Sequence, residues 1–129
     1  MTPELAYLLA AAVLTFVLLL IAVGGATLKV GLPTLAGNRE AMPEITGWGG
    51  RAQRAHYNML ESLVLFAILV LTARAAGVSN STTLLGAHLF FWGRVAHAIF
   101  YIAGIAWLRT AAWGVSVLGL ILLFVALVT

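Results

Sequence analysis

From Leu5 to Leu28 no side chain carries a charge, and most are Leu, Ala, Val, Ile or Phe. A helix needs about 20 apolar residues to cross the hydrocarbon core of a bilayer, and a longer one crosses with some tilt. Thr2, Pro3 and Glu4 precede the run and read as a helix start. Thr2 supplies the capping hydroxyl, Pro3 the first helical position, and Glu4 a carboxylate at the positive end of the dipole. A secretory leader is the competing reading. It is disfavoured because no basic residue comes before the run, which is also longer than the apolar part of a leader. Gly24 and Gly25 near its end allow another helix to approach closely.

The rest of the chain repeats this pattern. Of 129 residues 63% are hydrophobic and 9% charged, more apolar side chain than a globule of this length can bury. The expectation is an all-α integral membrane four-helix bundle forming one domain, with helices over residues 3–28, 51–76, 82–107 and 110–128. Lys29 to Gly50 contains Pro33, Pro43 and several glycines, so it reads as one long loop on a membrane face, with Trp48 as interfacial anchor. Gly77 to Ser81 is a short turn that makes the second and third helices antiparallel neighbours. Leu108, Arg109 and Thr110 form a tight connection flanked by Trp107 and Trp113, and Arg74 reads as a snorkelling anchor. Lys29, Arg39, Arg51, Arg54 and Arg109 fall on one side of the membrane and only Arg74 on the other. The first and third connections are therefore expected in the cytoplasm and both termini outside it. A net charge of +3 spread over connections fits membrane orientation, not nucleic acid. With no cysteine there is no disulfide and no protein thiolate.

Polar residues inside spanning helices are costly, so each needs an explanation. Arg54, Asn58 and Glu61 follow at i, i+4 and i+7 and share one helix face, with Arg51 a turn earlier and His56 pointing elsewhere. Arg94, His97 and Tyr101 form a second such face at i, i+3 and i+7. Glu61 is the obvious counter-charge for Arg94. Two readings stay open: an internal packing pair, or a ligand site built from the aligned donors and acceptors. Arg54, Asn58, Glu61, His97, Tyr101 and Arg109 all fall at similar depth on the cytoplasmic side, with Arg94 somewhat deeper. His88, nearer the other end, reads as a hydrogen-bonded packing residue. A proton or ion pathway is a weaker option, since only one carboxylate lies deep in the helices.

At these residues the chain resembles a known family. RAHYNMLESLVLF, from Arg54 to Phe66, is similar to the second-helix signature of the MAPEG family, the membrane-associated proteins in eicosanoid and glutathione metabolism. GRVAHAIFYIAGIAWLRT, from Gly93 to Thr110, resembles the third-helix signature, and the GNREAMPE loop and GWGGRAQRAH stretch look like bacterial members. The resemblance implies a homotrimer of four-helix subunits that binds glutathione between neighbours near the cytoplasmic face. Arg54, Asn58 and Glu61 match positions that hold the charged and amide groups of the tripeptide. Arg94, His97 and Tyr101 match the third-helix positions, with Tyr in some members where His97 stands. Lys29 lies near a basic residue of the first helix, and Arg109, with Tyr101 nearby, resembles the arginine that stabilises the thiolate.

Tyr57 replaces a basic residue found in some eicosanoid-metabolising members. The chain also has no Asp, and so lacks the loop aspartate of the prostaglandin-isomerising branch. The implied function is a glutathione-dependent transferase or peroxidase in a bacterial inner membrane. It would act on lipophilic electrophiles or hydroperoxides that arrive from the bilayer, with glutathione as co-substrate and with no metal or nucleic acid involved. The alternative from another class is a non-catalytic membrane assembly or lipid-binding subunit that retains the fold. A thiol requirement for activity separates the two.

Overall fold

In a computed structural model describing Met1 to Thr129, the first helix begins at its capping residues. The Thr2 hydroxyl accepts from the Leu5 amide at 3.3 Å, and Pro3 opens α1 (Pro3–Val30). Four further helices follow: α2 (Leu32–Ala36), α3 (Gly47–Ala75), α4 (Ser81–Ala103) and α5 (Ala106–Val128). There is no strand. Helices α1, α3 and α5 are long and apolar enough to cross a membrane. Helix α4 matches α5 in length but carries His88, Arg94 and His97.

Two boundaries differ from the sequence expectation. The stretch from Lys29 to Gly50 is not one long loop. Helix α1 runs on through Lys29, α2 forms around Pro33, and α3 already includes Gly49 and Gly50, leaving residues 37–46 non-helical. Proline in a first turn forfeits no hydrogen bond, because that N–H has no intrahelical partner anyway. The third helix does not reach Trp107. It stops at Ala103, where Gly104 adopts a left-handed conformation (φ 83°, ψ 24°). The Ile105 amide donates to the Phe100 carbonyl at 2.9 Å and the Gly104 amide to that of Tyr101 at 3.1 Å, the paired bonds of a Schellman motif. Helix α5 therefore starts at Ala106, and Arg109 lies in its first turn instead of in the connection.

Helices α4 and α5 make the most extensive contact, and glycines let them. A Cβ on Gly119 would stand 2.5 Å from the Gly86 carbonyl oxygen and 2.6 Å from the Phe90 amide nitrogen. Neither backbone atom can yield without moving a helix. Helix α1 lies along α3, where Gly25 meets Gly49, while Gly24 has no neighbour within 4 Å. Between α3 and α4, Phe66 and Phe90 stack with ring centroids 4.0 Å apart, at the centre of a core that includes Ala11, Leu18, Met59 and Leu123.

Glu4 does more than complement the α1 dipole. It is only 3% exposed, and its carboxylate accepts from the Thr83 hydroxyl at 2.6 Å and from that of Ser79 at 3.1 Å. This ties the start of α1 to the turn between α3 and α4. A buried carboxylate is tolerated when hydroxyls replace its lost water. Nearby, the Tyr7 hydroxyl and His88 Nδ1 share a hydrogen bond of 2.7 Å, so His88, although exposed, links α4 to α1. Outside these contacts α1 presents Leu9, Val13, Phe16 and Leu20 on its exposed face.

Candidate functional site

The polar residues of α3, α4 and α5 meet near the Gly104 turn. Arg94 is 1% exposed, and its Nη2 donates to Asn58 Oδ1 at 2.7 Å. Its Nε and Nη1 are buried with no acceptor in the chain. His97, one turn further along α4, is 2% exposed, and its Nδ1 likewise has no partner. The His97 ring meets Tyr101 edge-on at 5.4 Å, and the Arg109 guanidinium lies 4.5 Å from the centroid of the same Tyr101 ring. Histidine, tyrosine and arginine thus form a short stack that joins α4 to the first turn of α5. Cation–π contact fixes a long flexible arginine more firmly than solvation alone does.

Beside this stack is a hollow of about 260 Å³, lined by Asn58, His97, Tyr101, Arg109, Thr110 and Trp113. No carboxylate lines it. Its surface consists of a guanidinium, an imidazole, an amide, hydroxyls and an indole, a set suited to an anion or to a polar, amide-rich ligand.

The structure does not bring every sequence candidate here. Glu61 is exposed on α3 and is not the partner of Arg94 within the chain, because Asn58 fills that role. Arg54 is also exposed, and neither Arg54 nor Glu61 lines the hollow. Lys29 is exposed in the last turn of α1, away from it. Arg51 acts outside the hollow, where its Nε donates to the Ile102 carbonyl at 2.9 Å and satisfies a group freed by the end of α4. The sequence pattern missed Trp113 as a wall of the hollow. Its only signal was its place one turn after Arg109, which becomes readable once α5 is known to start before Arg109.

Comparison with known proteins yields one family. No curated protein and no solved structure matches the chain. The model of the MAPEG family matches residues 5–129, which takes in all of α3, α4 and α5 and nearly all of α1. With three helices able to cross a bilayer, and with a match over essentially its whole length, this integral membrane protein belongs to the MAPEG family.

Proposed function

We propose that the protein is a glutathione-dependent membrane transferase or peroxidase acting on lipophilic electrophiles or hydroperoxides. The observation that carries this reading is the pair of buried side chains with unpartnered nitrogens beside one hollow: His97, which lines it, and Arg94, which meets its wall through Asn58. Arg94 and His97 are almost fully buried, yet three of their nitrogens lack a hydrogen-bond partner, while Asn58, Tyr101, Arg109 and Thr110 face the adjoining space. Buried donors without partners are costly and uncommon away from functional sites. A tripeptide with two carboxylates and two amides offers acceptors of the right kind. Because the chain has no cysteine, any reactive thiolate belongs to the ligand.

In this reading Arg109 and Tyr101 face the sulfur, and Asn58, Arg94 and His97 hold the peptide. Arg54, Glu61 and Lys29 complete the site from a neighbouring surface. Glu61 supports that last point. It lies 14 residues after Gly47, roughly 21 Å along α3 at 1.5 Å per residue, and is exposed there on a helix of 29 residues. A carboxylate facing lipid at that depth costs several kcal/mol. A second copy of the chain covers it, and the assembly we propose is a homotrimer in which all four long helices cross the bilayer. The charge distribution favours cytoplasmic placement of Lys29, Arg39, Arg51, Arg54 and Arg109 and puts both termini outside, as for a bacterial inner membrane.

The test uses protein purified in mild detergent, with glutathione and an S-alkyl glutathione as probes. Both should raise the melting temperature, glutathione should produce ultraviolet thiolate absorbance, and a nitroaryl halide or an alkyl hydroperoxide should be turned over only with thiol present. Neither a melting shift nor a thiolate band at millimolar glutathione would refute the reading. Native mass spectrometry that finds only monomer or dimer across several mild detergents would refute the trimer.

A further inference from the structure

A second hollow lies on another side of α3. It encloses about 400 Å³ between α1, α2 and the beginning of α3, within the range of about 300–1,000 Å³ usual for small-molecule sites. Gln53, His56 and Tyr57 line it, while Asn58 lines the hollow described above. At 3.6 residues per turn these sets lie on nearly opposite faces of α3.

Its two ends differ in character. The floor is the apolar side of α1, from Leu19 through Ala22 and Val23 to Ala26, a length of about 10 Å at 1.5 Å per residue. The rim is polar, formed by Arg39, Gln53, His56 and Tyr57. No carboxylate lines it, although Glu40 and Glu44 belong to the same loop. Arg39 takes a left-handed backbone (φ 64°), rare for a residue with a side chain, and its Nε donates to the Leu35 carbonyl at 2.7 Å. That bond anchors the guanidinium at the C-terminal end of α2 and leaves both Nη groups for a ligand. His56 supplies a second, independent sign. It is 8% exposed, makes no hydrogen bond within the chain, and lines this hollow.

We infer that this hollow binds a medium-chain fatty-acid anion, its hydrocarbon tail along α1 and its carboxylate at Arg39, with Gln53 and His56 as further donors. Size selects one chain over two. Taking roughly 30 Å³ per heavy atom, the share of a water molecule in liquid, the hollow holds about a dozen such atoms. That suits a ten-carbon acid and leaves no room for both chains of a phospholipid. Charge selects the head, since the rim carries a guanidinium and no acidic group. The inference does not rest on the thiol chemistry, and the two stand or fall separately.

The experiment uses the full chain in nanodiscs and a decanoate bearing a diazirine near the end of its tail. After irradiation, mass spectrometry should locate adducts between Leu19 and Ala26. Unlabelled decanoate should compete at least ten-fold better than decanol. Arg39→Gln should weaken decanoate competition at least five-fold and leave decanol unaffected. Val23→Trp places bulk in the hollow from a residue that is already 47% exposed, so the fold tolerates it, and it should abolish labelling at α1. Circular dichroism checks that both variants are folded. Adducts spread evenly over the exposed faces of α1 and α5 would overturn the proposal. So would equal competition by acid and alcohol, or an Arg39→Gln variant that competes like the parent.

Discussion

The bond between Asn58 and Arg94 offers the most direct check on the candidate site. Arg94 is 1% exposed and has one hydrogen bond inside the chain, the 2.7 Å contact from Nη2 to Asn58 Oδ1. Asn58→Leu removes that acceptor while the guanidinium stays buried. A hydrogen bond to a charged group contributes about 1.5–3 kcal/mol, and removing one partner of a buried ion pair costs about 3–5 kcal/mol. Asn58 is a neutral partner and half-buried, so the lower range applies, and we expect a loss of about 2 kcal/mol. Arg94→Met removes the charge, keeps most of the volume, and frees an amide that can reach the adjoining hollow. Its cost should be within about 1 kcal/mol. The double variant should then resemble Arg94→Met alone, giving a coupling energy of about 2 kcal/mol. Reversible unfolding in mixed micelles, followed by far-ultraviolet circular dichroism, measures all four corners of the cycle. A coupling energy below about 0.5 kcal/mol would show that the two side chains do not depend on each other, and the proposed geometry of the site would be wrong.

Further outcomes follow from other contacts. Gly119→Ala places its methyl 2.5 Å from a backbone oxygen of α4 and should destabilise by about 1–3 kcal/mol. Gly114→Ala, in the same helix with nothing within 4 Å, should stabilise by up to about 1 kcal/mol, and equal effects of the two would refute the close α4–α5 contact. Glu4→Ala strands the Ser79 hydroxyl and leaves that of Thr83 only its local bonds to Asn80, so a loss of about 1–3 kcal/mol should come with faster amide exchange from Gly77 to Asn80. Unchanged exchange there would show that Glu4 is not a latch. Arg109→Leu should keep glutathione affinity within a few-fold but abolish the thiolate absorbance, with partial recovery in Arg109→Lys. An undiminished band would make Arg109 an anchor only.

What the sequence revealed about this chain was mostly local. The start of α1 was legible because Thr2 and Pro3 act within one turn of themselves. The stripes on α3 and α4 were legible because helical period alone puts Asn58 on one face and Arg94, His97 and Tyr101 on another. Which residue of one stripe meets which of the other depends on the relative rotation of two packed helices, and periodicity carries no information about that. The Arg94 partner is therefore Asn58, half-buried, and not the better-charged Glu61, which is exposed on the same helix. The end of α4 was marked by Gly104, but glycine is also common inside membrane helices, and apolar residues on both sides hid the stop. Glu4 looked like a dipole partner because its real partners, Ser79 and Thr83, are distant in sequence. The hollow beneath Arg39 was invisible for a related reason: it exists only because α2 packs on α1 after Gly31.

The placement of Arg109 gives the strongest chemical argument in the molecule. A cation in the first turn of α5 sits at the wrong end of the helix dipole, an arrangement that costs about 0.3–1 kcal/mol. Contact with the Tyr101 ring at 4.5 Å offsets this by about 0.5–1 kcal/mol and holds the guanidinium at the edge of the hollow. Positive potential from the helix end and from the side chain then add at one point, with no carboxylate in the lining to cancel it. A thiol of pKa near 8.5 is mostly protonated at neutral pH, and lowering it by two units takes about 2.7 kcal/mol at 1.36 kcal/mol per unit. A single charged hydrogen bond supplies about 1.5–3 kcal/mol, so Arg109 reaches this only at the upper end of that range. A neutral donor such as Thr110 contributes about half as much and falls short by itself. Lysine at position 109 keeps the charge but loses the flat contact with Tyr101, which is why the recovery in Arg109→Lys should be partial.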